Sequence, residues 1–423
     1  MISFTRPNSS TGIPVTILFL MILLCANPLL AEPMDIAFLQ HLALKNNPKI
    51  KAMESEVRMA AHRIEESRSL EDIKLTFAVN SLPLDTFSFR DEDMTSKEIG
   101  LSQMIPLWGK LAIRERIAEL DRLKRFEALR KERISMSHQL RQSVYEMRGA
   151  LASKALLTQI QSQLGLLINS ETALSKTGMG TLSGVINANI ESIMVDEKQL
   201  DLDQKVEALR ARITYFTGAD VKEPPSISAT LLKEIPAETV KAGIKDNPEL
   251  KMASYDTLMS REEMRLREKE FYPDMEAGIS YMQRDNTSSV KRADMVSAMV
   301  SFNIPVWVKG KKAGVEEMKS KKESNEQTFK DKMNDLEQQA KILMADMEKS
   351  RKIHGLYSGR VIPQAELEFE SALASYRTSG GLVTVIEKLK ALLAFQNELV
   401  TSETSYLVSC SELSALIGIE VVE

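Results

Sequence analysis

Ile105-Pro106-Leu107-Trp108-Gly109-Lys110 is written a second time in this chain, 199 residues on, as Ile304-Pro305-Val306-Trp307-Val308-Lys309-Gly310-Lys311. Two further landmarks return at nearly the same interval. Asn46-Asn47-Pro48-Lys49-Ile50 reappears as Asp246-Asn247-Pro248-Glu249-Leu250, and Gly218, after Tyr215-Phe216-Thr217, as Gly418 after Leu416-Ile417, each 200 residues later. Three landmarks in one order at one spacing mark an internal duplication. Prolines at 224, 225 and 236 interrupt a chain that has none from Leu107 to Glu223, so the copies divide there. The expected organisation is a first repeat over 32–218, a linker over 219–236 and a second repeat over 237–423. Each repeat is expected to hold a short helix, two strands and a long helical hairpin.

Upstream of the quoted motif the pattern is period two. Ile73, Leu75, Phe77 and Val79 alternate with Lys74, Thr76, Ala78 and Asn80, and Ile99 and Leu101 alternate with Gly100 and Ser102. The second repeat has Met275, Ala277, Ile279 and Tyr281, then Val296, Ala298, Val300 and Phe302, on the same scheme. Each strand thus has an apolar face and a small or polar one. Hairpins packed on helices with one face in water would show the same alternation. Segments of about 9 to 11 residues and mostly small polar faces favour strands that cross a bilayer around a wet lumen. Four strands cannot close a barrel, and an open edge in lipid leaves backbone groups unpaired. Two copies give eight strands and three give twelve, and only the larger leaves a useful pore.

Downstream the period changes to that of a helix. Leu140, Val144, Met147 and Leu151, then Ile160, Leu164 and Leu167, follow a coiled-coil seam. From Trp108 to Leu174 no proline intervenes, which predicts a helix on the order of 100 Å long. Leu182 to Phe216 is its return partner, and Lys311 to Tyr376 with Leu382 to Leu416 repeat the pair, with Pro363 expected to bend the third of these helices. Charged residues at 27% with aromatics at only 5% fit such a helical chain. The glycine-rich turns Thr177-Gly178-Met179-Gly180-Thr181-Leu182 and Thr378-Ser379-Gly380-Gly381-Leu382-Val383 reverse the chain; loops at the far end of a rod are also available to partners.

Residues 1–31 read as an export signal: Arg6, the apolar run Ile13 to Leu24, and Ala31 after Leu29-Leu30. That run is too short to span a bilayer as a helix. Cys25 offers a lipoprotein reading, against which Leu24 stands where a small residue is expected. Beyond the signal only Cys410 is left, so no internal disulfide is expected.

The duplicated Asn-Pro element, the strand end Ser102-Gln103-Met104-Ile105-Pro106-Leu107-Trp108-Gly109-Lys110, the helix end Tyr376-Arg377-Thr378 and the stretch Val361-Ile362-Pro363-Gln364-Ala365-Glu366 together resemble the TolC-like outer-membrane efflux proteins. The resemblance covers nearly the whole mature chain. It implies an α+β membrane protein: a homotrimer whose long antiparallel coiled-coil helices form a periplasmic α-barrel, with four strands per subunit in a 12-stranded transmembrane β-barrel. It implies the outer membrane of a Gram-negative bacterium, with the helices extending into the periplasm. The implied partners are outer-membrane lipid, a periplasmic adaptor and, through the adaptor, an inner-membrane pump. Carried residue by residue, the resemblance puts adaptor docking at Thr177, Gly178, Gly180, Leu182 and Val185 and at Thr378, Gly380, Gly381, Leu382 and Val385. It puts the periplasmic entrance at Thr384 and Glu387, where a threonine stands in place of an acid common in the family. A solvated helix charge is the plain alternative for Glu387.

The remaining chemistry excludes more than it offers. His41, His62, His138 and His354 are scattered with no ligand spacing, and no catalytic constellation or glycine-rich phosphate loop is present, so neither an enzyme, a cofactor nor a metal site is expected. A formal charge of -4, with 55 basic and 59 acidic residues, gives no footprint for nucleic acid. Twenty-two methionines raise soft-metal transport, but Met333, Met344 and Met347 fit helix seams. By resemblance the function is the passive exit duct of a tripartite pump for small toxic solutes, heavy-metal ions among them. The exit duct of a type I protein secretion system is the alternative. A periplasmic adaptor or a coiled-coil scaffold accounts for long helices but not for two strand pairs in series.

Overall fold

In the computed structural model residues 35–177, 182–221, 225, 236–287, 290–379 and 381–418 are described, so the expected signal with Cys25, most of the linker, and Gly178, Gly180 and Gly380 lie outside it. The first copy runs α1 (Ile36–Asn46), α2 (Pro48–Arg68), β1 (Lys74–Asn80), β2 (Ser96–Ile105), α3 (Lys110–Lys176) and α4 (Leu182–Thr217). The second runs α5 (Ala237–Asp246), α6 (Pro248–Lys269), β3 (Met275–Gln283), β4 (Met295–Phe302), α7 (Val308–Leu356), a π turn (Tyr357–Val361), α8 (Ile362–Ser379) and α9 (Leu382–Leu416).

The Asn-Pro landmarks separate two helices rather than open one, which corrects the single short helix read from the sequence. Asn47 and Asn247 cap α2 and α6 with proline in the first turn, their side-chain oxygens accepting from Lys49 N (2.9 Å) and Glu249 N (2.7 Å). The same motif reaches the far landmark of its own repeat: Asn46 Nδ2 donates to Thr217 O (3.3 Å) and Asn247 Nδ2 to Leu416 O (2.7 Å). Each motif thus reaches the end of its own repeat's last helix, through the first asparagine in one copy and the second in the other, since Asn46 aligns with Asp246 and Asn47 with Asn247.

The strands form one antiparallel sheet in the order β1-β2-β3-β4, with β2 pairing β3 across the repeats from Lys97↔Gln283 to Ile105↔Met275. At 7 and 8 residues the edge strands β1 and β4 are shorter than expected, while β3 has 9 and β2 has 10, extending beyond the Ile99 to Ser102 alternation because its backbone pairs on both sides. β1 and β4 are the open edges.

Three apolar clusters hold the helices. Leu39, Ile50, Leu140, Met147 and Ile213 join α1 and α2 to the α3–α4 hairpin, and Ile244, Leu250, Leu343 and Leu413 do the same for the second copy. The third, with Leu164, Ala188, Tyr376, Val385 and Leu389, joins both hairpins near their turns. Helix α3 is the axis: it packs against α1, α2 and α4 of its own repeat and α6 and α9 of the other. It buries Lys110, Ala118, Leu120, Glu127, Leu129 and Ile134 in its first turns, whereas the first side chain buried by α7 is Leu336.

Ahead of Pro363 the chain inserts a π turn, with Ile362 N donating to Tyr357 O. Proline has no N–H to offer and its ring crowds the carbonyl four residues back, so the wider turn absorbs the conflict and helix continues on both sides.

Candidate functional site

Two regions carry chemistry of interest, the sheet and the hairpin turns. On the sheet, the apolar face is bare: Leu75 is 55% exposed, Phe77 72%, Val296 68% and Val300 60%. A row of large aliphatic and aromatic side chains in the open, on an element with regular pairing, is not what water selects. The opposite face is small and polar. Gly100 lies against Ser280 and Gly278 against Ser102, so close that a Cβ added at Gly278 would come within 3.2 Å of Ser102 Cβ. Ser102 Oγ donates to Glu276 Oε1 (2.8 Å) and Asn80 Nδ2 to Glu98 Oε2 (2.6 Å). Glu98 stands opposite Met282, which stands opposite Met295, an acid and two thioethers in one row of this face.

The ends of the sheet are fastened. At one end Arg292, its side chain only 3% exposed, donates to Glu92 O (2.9 Å) and Asp285 O (3.3 Å) and pairs with Asp93 (2.9 Å), tying the 284–292 loop to the 83–95 loop. At the other, the quoted motif turns strand into helix through left-handed Trp108 (φ 62°) and Gly109 (φ 75°). Such a backbone is costly for tryptophan and persists because its surroundings fix it. Trp108 Nε1 donates to Pro273 O (2.8 Å) and its ring packs on Tyr272 at 5.2 Å. Lys110 Nζ, with 5% of its side chain exposed, donates to Tyr272 O (3.0 Å) and to both oxygens of Asp274 (2.8 Å each).

At the turns, Thr177 N donates to Leu174 O (3.1 Å) at the end of α3, and Thr378 falls in the last turn of α8. Gly381 (φ 117°) caps α9, and Thr384 N donates back to its carbonyl (3.1 Å). Leu182 is 68% exposed and begins a stripe with Ile186 and Ile190, at 49% and 51%, while Val185 is half-buried. Leu382 and Val385 are packed inward in the tip cluster, leaving Val383, Thr384 and Glu387 outward on the second turn. The structure thus brings Leu382 and Val385 together with the core and sets Leu182, Thr384 and Glu387 at the surface.

Sequence reasoning missed how the hairpins hold one another here. The Tyr376 hydroxyl donates to Glu171 Oε2 (2.6 Å) and Lys390 Nζ pairs with Glu191 (2.7 Å), each linking one repeat to the other. Burial, then the Glu171 carboxylate, pushes the Tyr376 hydroxyl above its ordinary range, so it stays a donor. An acid on the seam face of α3, at Glu171, was the available signal. Among the described residues there is no group of three or more His, Cys, Asp and Glu able to hold a metal ion, and no helix long and apolar enough to cross a membrane.

Residues 39–219 match the outer membrane efflux protein family model. No curated protein sequence matches the chain significantly. Among solved structures, that of CusC, from work on conformational changes accompanying folding and transmembrane channel formation, is similar at a TM-score of 0.78 and 14% identity, over 90% of this chain and 91% of that one. The outer membrane protein VceC of Vibrio cholerae matches at 0.77 and 12%, over 90% and 96%. The CmeC outer membrane channel of Campylobacter jejuni matches at 0.76 and 14%, over 99% and 94%. At such identities the likeness establishes a shared fold.

Proposed function

We propose that this chain, whose residues 39–219 match the outer membrane efflux protein family model, is a member of that family and the outer-membrane channel subunit of a tripartite efflux pump, a passive duct from periplasm to exterior. The observation that carries this is the sheet, apolar and bare on one face, small and polar on the other, with both edges open. Three copies close those edges into twelve strands with the apolar face in outer-membrane lipid and the serines and glycines around a wet lumen. The helices continue the duct into the periplasm, where a periplasmic adaptor meets the turns at Thr177 to Val185 and Thr378 to Val385, and Thr384 and Glu387 line the entrance. The repeats serve as near-equivalent sixths of the ring.

The chain carries no catalytic residue in this role; it supplies a hole of fixed chemistry. Small toxic solutes fit such a duct. The two thioethers in the row Glu98, Met282, Met295 favour soft cations among them, since thioether sulfur is a soft ligand. Recovery of the protein in the inner membrane or the soluble periplasm, or as a monomer after detergent extraction, overturns the channel reading. Deletion tested against metals, dyes and antibiotics separates the cargo classes: sensitivity to soft metals alone assigns metal export, and sensitivity to dyes and antibiotics alone removes it. Loss of a secreted protein with no change in sensitivity would assign the duct to type I secretion instead.

A further inference from the structure

The two repeats meet along one seam inside the chain, and the same seam is left half-made at each outer edge. Inside, β2 pairs β3, and Trp108 and Lys110 seat on Tyr272-Pro273-Asp274. At the outer edge the counterpart of Trp108, Trp307, is 86% exposed, with Ile304 at 76% and Val306 at 70%. The first turns of α7 bury nothing, although the same turns of α3 are covered by α6. The counterpart of Tyr272-Pro273-Asp274-Met275 is Leu70-Glu71-Asp72-Ile73, 202 residues earlier, where Leu70 and Ile73 are 43% and 59% exposed.

These offsets fix a register. The quoted motifs carry β2 onto β4 by 199 residues. The pairings Lys74↔Ser102 and Glu276↔Ser301 then carry β1 onto β3 by 202 residues, the value the Asp72 and Asp274 motifs give independently. Transferring Leu101↔Ile279 by those offsets sets Val300 opposite Phe77, and with it Phe302 opposite Leu75 and Ala298 opposite Val79. Every transferred pair keeps apolar with apolar. The other face keeps Ser301 with Thr76 and Ser297 with Asn80, as a one-residue slip would not.

We propose that β4 of one copy pairs with β1 of the next in this register, Val300 facing Phe77, and that Trp307 seats on Leu70-Glu71-Asp72 of that neighbour. The occupant of the exposed Ile304–Trp307 segment is a second copy of this chain. The proposal rests on the trimeric channel reading and adds to it which residues meet.

Within one copy Phe77 and Val300 lie on opposite edges of the sheet, three strand spacings apart, on the order of 14 Å, and four residues out of row besides, since Phe77 shares its row with Val296, whereas a disulfide needs Cα atoms within about 7 Å. A disulfide between them is therefore between copies. In a Cys410→Ser background, Phe77→Cys with Val300→Cys is compared with the two-residue slips Leu75→Cys with Val300→Cys and Val79→Cys with Val300→Cys. A further chain carries Leu70→Cys with Trp307→Cys. Each is oxidised in native membranes and run without reductant under denaturing conditions, and its untreated assembly is weighed in detergent. The first and last pairs are expected to shift from the monomer band to a covalently closed trimer, and the slipped pairs to stay monomeric. Closure by a slipped pair, or by none in particles that still weigh as trimers, overturns the register while the channel reading stands. Failure of the last pair alone overturns the Trp307 seat and leaves that side chain to lipid headgroups. Particles that weigh as monomers overturn the channel reading itself.

Discussion

Lys110 shows how much one side chain holds in place. It ends on Asp274 and on a backbone carbonyl just below the sheet, almost wholly out of water. A buried pair offers little net stability over an apolar one, but removing one partner strands the other. Lys110→Met is therefore expected to lower stability by about 3 kcal/mol or more, read as an earlier denaturant midpoint. His138 gives a second residue-scale test. It shares a hydrogen bond with Ser411 (3.1 Å) beside a cavity of about 240 Å³ between the repeats, and burial, then Arg141 and Arg212, hold its pKa below the ordinary value. The folded chain then binds fewer protons than the unfolded one as pH falls through about 6.5, so stability is lost as pH drops through that window. His138→Gln does not titrate, and its thermal midpoint is expected to fall less than the parent's between about pH 7.5 and about pH 5.5. Glu249 acts lower down. Lys131 and Lys332 outweigh burial and hold its carboxyl below the usual range, so its contribution is present above about pH 4.5 and goes only on further acidification.

At the scale of elements, the π turn at Tyr357–Val361 keeps α8 in phase with the tip cluster. Deleting Gly359 would rotate everything after it by about 100°, carrying Phe369, Leu373 and Tyr376 off Glu171 and the α9 core. The expected result is a lower thermal midpoint and faster amide exchange in α8 and α9, with the sheet unaffected. The sequence makes such elements legible unevenly. Helix α9 begins and ends where its pattern does, because a proline-free apolar seam between a glycine turn and Gly418 leaves no other choice. Pro363 marked a disturbance in the right place without saying that a π turn would accommodate it. The Asn-Pro elements were visible as a repeat but not as caps between two helices, since asparagine caps a helix and opens a turn with the same hydrogen bond. The sheet's two faces were plain from period two. The Tyr376 to Glu171 bond was not, because nothing local in sequence pairs residues 205 positions apart.

For the whole molecule the decisive quantity is which solvent each face of the sheet meets. If the apolar face meets hydrocarbon, Val300→Lys costs about 2–4 kcal/mol near the bilayer midplane and is expected to cut recovery of assembled protein from the outer membrane, while Ser297→Lys on the opposite face is tolerated. Equal recovery of both would mean that neither face meets lipid. One feature reaches past the membrane. Arg292 is drawn from the second repeat's loop into the first repeat's, where it holds Glu92 and Asp93. If the sheet crosses the outer membrane as proposed, with these loops on its outer side, they present a joint surface written by both repeats. An antibody or phage that selects changes at one loop would be escaped by changes at the other, so immune and viral pressure on the two halves of an ancient duplication would fall on them as one.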